Sequence, residues 1–303
     1  MEETAARRRG REGSLGLMSC GKALERRPLY TPPANACDAH CHVFGPAGRF
    51  PYAPDRRYTP QDAPKEALAG LHARLGLSRA VIVQASCHGT DNRAMLDCIA
   101  SAPETYRGVA IVDDTFGDDA YAVLHEGGVR GVRFNFVKHL GGAPDMDVFH
   151  RVIRRIAPLG WHVVLHLDAP DIEALSPMIA ALPVIAVIDH MGRTPAKDGI
   201  AQEPHRHLTG LLRHAHVWVK VSGAERIADP PFHAAIPFAR ALMNVAPDRV
   251  LWGTDFPHPN LKHEVDEADL VDMLPEYGDA KALHRLLVEN PARLYGFQGD
   301  QKC

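Results

Sequence analysis

Eight short apolar runs, each followed by a longer amphipathic stretch, constrain this chain more than any other feature. The runs cover 37–44, 79–84, 108–112, 131–136, 162–167, 184–188, 217–221 and 250–253. Each is rich in β-branched or aromatic residues and too short for a stable helix, so each reads as a strand. Helical patterns lie between them at 64–75, 92–101, 147–159, 171–181, 203–214 and 237–245, with Asp147 and Asp171 expected as N-caps. Near-continuous apolar strands alternating with helices indicate a parallel sheet covered on both faces. Eight such units predict a closed (β/α)8 TIM barrel, which typically needs about 250 residues. An open doubly wound sheet is the competing topology. It would carry a Gly-rich phosphate loop after its first strand, whereas here that strand ends Asp38-Ala39-His40-Cys41-His42. Residues 275–295 read as a closing helical segment.

The 303 residues suit one barrel domain over 30–303, preceded by an extension at 1–29. The extension is basic (Arg7, Arg8, Arg9, Arg11) and has no apolar stretch of signal-peptide type, so it is expected to be a disordered tail. A net charge of −3 leaves no electrostatic footprint for nucleic acid. No apolar run reaches the roughly 18–20 residues of a membrane span. The six cysteines form no C-x-x-C pair and are expected as free thiols in a reducing compartment, hence a cytoplasmic protein.

The chemistry gathers at strand ends, where barrels of this kind carry their active groups. His40 and His42 are two apart on the first strand and share a face. His166 ends the fifth strand, His190 follows the sixth, and Asp255 follows the eighth. Any one of these, in a chain with 18 histidines, is as well explained by backbone hydrogen bonding or loop capping. Together, imidazoles and a carboxylate converging from separate strands suit a divalent metal, zinc first.

Four runs carry a resemblance: Cys37-Asp38-Ala39-His40-Cys41-His42-Val43-Phe44-Gly45, Asp189-His190-Met191-Gly192-Arg193, Trp252-Gly253-Thr254-Asp255-Phe256-Pro257-His258-Pro259-Asn260 and Asn290-Pro291-Ala292-Arg293-Leu294-Tyr295-Gly296. They resemble the amidohydrolase-2 branch of the amidohydrolase superfamily. The runs at 130–138 and 219–226 resemble its lactone hydrolases, which act on pyrone dicarboxylate and sulfomuconolactone. That resemblance implies roles. Asp255 would take a proton from the attacking water, while His40, His42 and His190 polarise the lactone carbonyl or position the water. Arg133 and Arg226 would hold substrate carboxylates, with Tyr58, Ser86, Lys138 and His139 also at the substrate.

The chain departs from the pyrone-dicarboxylate pattern twice. His166 stands where that metal-independent pattern has tyrosine, and His139 follows Lys138 where it has arginine. The first change completes a metal set of His40, His42, His166 and Asp255, with zinc as the expected ion. The second weakens the grip on a second carboxylate. The reading is therefore a lactonase for a small anionic lactone of the muconolactone or pyrone carboxylate type, as in aromatic compound catabolism. Its rivals are a metal-dependent decarboxylase of the same branch, a sugar-lactone hydrolase and a non-catalytic barrel.

Overall fold

A computed structural model describes residues 26–261 and 263–298. Its eight strands are β1 (Cys37–Cys41), β2 (Arg79–Val83), β3 (Tyr106–Ala110), β4 (Val129–Asn135), β5 (His162–His166), β6 (Ala186–Ile188), β7 (Val217–Lys220) and β8 (Val250–Leu251). They pair in parallel and in sequential order. Backbone hydrogen bonds bring β8 back to β1: Ala39 N donates to Trp252 O (2.8 Å), Asp255 N to His40 O (2.7 Å) and His42 N to Phe256 O (2.8 Å). This is the (β/α)8 barrel.

One helix follows each of the first six strands: α1 (Lys65–Leu75), α2 (Arg93–Ala100), α3 (Asp118–Glu126), α4 (Met146–Ile156), α5 (Ile172–Ala180) and α6 (Glu203–Leu211). Next come α7 (Ala224–Ile227) and α8 (Ile236–Val245) after β7, then α9 (Glu267–Asp272), α10 (Ala280–His284) and α11 (Asn290–Tyr295) after β8. One expected cap moves. Asp145, not Asp147, caps α4 by accepting from Asp147 N (2.8 Å) and Val148 N (3.2 Å). Asp147 lies in the first turn, where its charge meets the positive end of the helix dipole. Asp171 stands at the N-cap of α5 but makes no side-chain cap hydrogen bond.

Two apolar layers hold the barrel. The larger lies between strands and helices and includes Ala80, Ile82, Val132, Val163, Leu165, Ile188 and Val219. The smaller fills the barrel axis with Cys37, Ala39, Val81, Val83, Val109, Val164, Val187, Trp218 and Leu251, plugged by Tyr295 and Phe297. The strands alternate between the two layers, as period-two side chains must.

β1 breaks the alternation. Three steps from Asp38 to Cys41 oppose two from Ala80 to Ile82, so β1 carries one extra residue. This bulge shifts the phase. Asp38 faces α1, where His72 Nε2 lies 3.1 Å from its Oδ2, Ala39 faces the axis, and Cys41 returns to the helix side. His40 and His42 are thereby aimed inward.

The expected extension lies outside the described residues up to position 25. Its last part is tied down: Arg26 Nη1 donates to Asp272 Oδ2 (2.7 Å), and Leu29 N, with Tyr30 N just beyond the extension, donates to Asp272 Oδ1 (2.6 and 2.9 Å). Cys37, Cys41, Cys87 and Cys98 are free and buried. Among the described residues no helix is long and apolar enough to cross a membrane.

Candidate active site

The inward positions at the C-terminal strand ends carry the expected groups. His42 Nδ1 donates to Val83 O on β2 (2.7 Å), because a carbonyl can only accept, and this turns Nε2 toward Asp255 Oδ1 at 3.3 Å. His40 Nε2 and His190 Nε2 approach the same oxygen at 3.5 and 3.8 Å. His40 Nε2 and Asp255 Oδ1 are buried and have no hydrogen-bond partner.

Two glycines make this convergence possible. A Cβ at Gly253 would lie 2.4 Å from His40 N, so only glycine lets β8 come this close to β1. A Cβ at Gly223, whose φ is +76°, would lie 2.7 Å from His190 Cβ. His190 and Asp255 themselves have φ of 52° and 62°, a region that is sparse for side-chain-bearing residues and recurs at functional sites.

A small cavity opens above these groups. His42, Tyr58, Ser86, Arg133, His139, His166, His190, Arg226 and Asp255 all line it. His40 lies beneath. Lys138 is the exception among the expected substrate residues. Its side chain is 78 % exposed and points to Asp171 Oδ1 at 3.7 Å, outside the cavity.

Arg133 and Arg226 each serve an internal carboxylate as well as the cavity. Arg133 Nε donates to Asp189 Oδ2 (3.0 Å), and Arg226 Nε donates to Asp255 Oδ2. Lys220 Nζ lies 3.3 Å from Asp189 Oδ1, and Arg193 Nε lies 3.1 Å from Asp168 Oδ1 at the rim. Arg133, Arg193 and Arg226 line the cavity, each beside a carboxylate, with Glu225 Oε1 a further one 3.9 Å from Arg226 Nε. Asp189, Arg193, Lys220 and Asn260 were given no role from the sequence. Lys220 had a signal there, as the one charge inside the apolar run Val217-Trp218-Val219-Lys220-Val221.

Burial sets the protonation states. It lowers His40 to about 3, with the Lys220 charge adding to the effect, and holds His166 and His190 well below the usual histidine range. For Asp255 burial pushes upward but is outweighed, first of all by the Arg226 charge, so the carboxylate stays ionised well below its ordinary range. The site at neutral pH is an anionic Asp255 faced by the neutral imidazoles of His40 and His190.

The expected zinc set is not assembled. His40, His190 and Asp255 offer ligand atoms within 4.8 Å of one another, but neither His42 nor His166 is among them. His166 Nδ1 donates to Asn135 Oδ1 (2.9 Å), and its Nε2 faces Arg193 Nη1 at 3.4 Å. One oxygen of Asp255 is already held by Arg226, and Lys220 lies against the other side of His40. Guanidinium and ammonium groups thus already offset part of the charge that this donor set would offer a divalent ion.

The family model described as amidohydrolase matches residues 37–297. The chain belongs to the amidohydrolase family. It is 46 % identical over 282 residues to a 2-pyrone-4,6-dicarboxylate hydrolase of Comamonas testosteroni, covering 89 % of this chain and 92 % of the relative. It is 38 % identical over 290 residues to a 4-sulfomuconolactone hydrolase of Rhizobium radiobacter, covering 93 % and 97 %. A solved structure from Acinetobacter baumannii superposes with a TM-score of 0.75 at 27 % identity, covering 87 % of this chain and 100 % of that one. That protein is provisionally assigned as a 2-pyrone-4,6-dicarboxylic acid hydrolase and holds citric acid. Within the amidohydrolase frame, His42, His166, His190 and Asp255 line the cavity at the strand ends.

Proposed function

We propose that this amidohydrolase opens a small anionic lactone by hydrolysis. The observation that carries the reading is Asp255 Oδ1, a buried, unpartnered carboxylate oxygen on which three imidazole Nε2 atoms converge under a cavity ringed by Arg133, Arg193 and Arg226. Asp255 takes a proton from a water, which attacks the lactone carbonyl carbon. Imidazole N–H groups stabilise the oxyanion. The ring C–O bond then breaks, the leaving oxygen takes the proton, and a hydroxy or keto acid departs.

The guanidiniums select the substrate's carboxylate, since a planar fork matches a planar anion. The relatives named for pyrone dicarboxylate and sulfomuconolactone support a ring lactone bearing acidic groups. His139 tunes the choice. Burial and Arg193 lower its pKa, so it presents a neutral ring at neutral pH. The preferred substrate is therefore a lactone with fewer anionic groups than pyrone dicarboxylate.

A panel of anionic and neutral lactones, followed by product analysis, tests the reading. Ring-opened acid is expected; carbon dioxide instead would make the protein a decarboxylase, and no turnover of any lactone would refute the activity. A zinc-dependent version is the second reading, favoured by the proximity of His40, His190 and Asp255. Zinc retained in stoichiometric amount by active, chelator-treated protein would establish it.

A further inference from the structure

We propose that Lys220 is a positioning residue that holds His40 in the tautomer with its hydrogen on Nε2, so that this nitrogen donates to the reacting carbonyl oxygen. The acceptor's identity rests on the lactonase reading; the tautomer rests on geometry alone.

Lys220 points into the barrel from β7 and is completely buried. An ammonium there is tolerated only with partners. It has two, Asp189 Oδ1 at 3.3 Å and His40 Nδ1 at 3.0 Å. An ammonium carries hydrogens and no lone pair, so toward His40 it can only donate. A nitrogen that accepts this bond has no hydrogen of its own. The ring's single hydrogen therefore sits on Nε2, which points at the site and meets no hydrogen-bond partner. Asp189 Oδ1 also lies 3.2 Å from His40 Nδ1 and competes there as an acceptor, so the Lys220 ammonium must prevail at that nitrogen.

Two neighbouring rings are turned the opposite way. His42 Nδ1 donates to the Val83 carbonyl and His166 Nδ1 to the Asn135 amide oxygen, which leaves a lone pair on Nε2 in each neutral ring. Of the three rings, only His40 has a cation at Nδ1. Among these three histidines it alone offers the cavity floor an N–H, and a buried donor aimed at an oxyanion's position is a large source of rate enhancement. Without Lys220, Asp189 would be the neighbour left at Nδ1. It would accept the hydrogen, as carboxylates do behind metal-binding histidines, and Nε2 would become an acceptor.

Neutron diffraction from deuterated wild-type crystals reads the tautomer directly. Deuterium on His40 Nε2 and none on Nδ1 is expected; deuterium on Nδ1 overturns the proposal. Lys220→Met is expected to lower kcat by about 10²–10³-fold, the usual effect of losing one oxyanion donor, with KM within about threefold. The same variant should retain zinc through gel filtration where the wild type does not, which loss of structural support alone would not produce. Unchanged kcat in folded Lys220→Met overturns the proposal. If that variant fails to fold, the neutron result decides. Deuterium on Nε2 in a protein that turns over no lactone refutes the lactonase reading and still supports the Lys220 assignment.

Discussion

Asp255 has one oxygen held by Arg226 and the other facing three imidazoles, and this division of labour makes its replacement informative. Asp255→Asn keeps the shape and removes the proton acceptor, so kcat should fall by about 10²–10⁴-fold, the range for a lost general base. Steady-state turnover within a few-fold of wild type would assign the proton transfer to another group. The arginines should separate by what else they touch. Arg193 pairs with Asp168 at the rim, so Arg193→Met should raise KM for an anionic lactone by about tenfold, roughly 1.4 kcal/mol of binding, and barely change kcat. Arg226 is the leading partner that holds Asp255 ionised against its burial. Arg226→Met should therefore raise the Asp255 pKa and move the acid limb of the kcat/KM profile to higher pH. Matching pH profiles for the two variants would leave Arg226 a substrate anchor only.

The approach of β8 to β1 ties site to scaffold. Asp38 Oδ1 accepts from Thr254 N (3.0 Å) and its Oδ2 from Thr254 Oγ1 (2.6 Å), while Gly253 leaves room for His40. Gly253→Ala puts a Cβ against backbone and should cost about 1–3 kcal/mol as overpacking does. Because the clash falls on His40, the variant should lose kcat along with thermal stability, and full activity at a lowered Tm would disconnect the two. The eight strands were legible because each is a short apolar run, and the strand-end groups because barrel chemistry collects there. The phase of β1 was not. His40 and His42 share a face on any reading, but the bulge that aims them inward is a register event with no residue signature. The caps illustrate the same limit: Asp145 and Asp147 are both acceptable at a helix start, and backbone geometry chose the first. The fate of His166 depended on Asn135, its partner across β4 and β5, and on Arg193. Such pairings are set by barrel register, which residue types alone do not specify.

At the scale of the whole molecule, the barrel stores opposite histidine states at different depths, and stability should record both. His40 and His162 are lowered to about 3 by burial, and His166 and His190 lie well below their ordinary value for the same leading reason. Each takes up a proton less readily in the folded chain than in the unfolded one. Stability is therefore lost as pH falls below about 6.5, at up to about 1.4 kcal/mol per pH unit for each such histidine. His258 works the other way. It lies between Glu225 Oε1 (3.5 Å) and Glu267 Oε1 (3.3 Å), joining the β8 loop to α7 and α9. Burial would lower its pKa, but the two carboxylates outweigh it and raise it to about 10. Its contribution is complete below about pH 6.5, the unfolded value, and drains away as pH rises toward about 10. Thermal unfolding followed against pH should trace a dome with its top near neutrality. The range from about 6.5 to 8.5 isolates His258, because buried thiols and tyrosines add their own losses only near and above their unfolded values of about 8.5–10. His258→Gln carries no charge at any pH. It should start less stable at pH 6.5, with two glutamates unpaired, and show a nearly flat Tm across that range where the wild type declines. Parallel declines in the two proteins would move the alkaline limb to another group and leave His258 a neutral spacer.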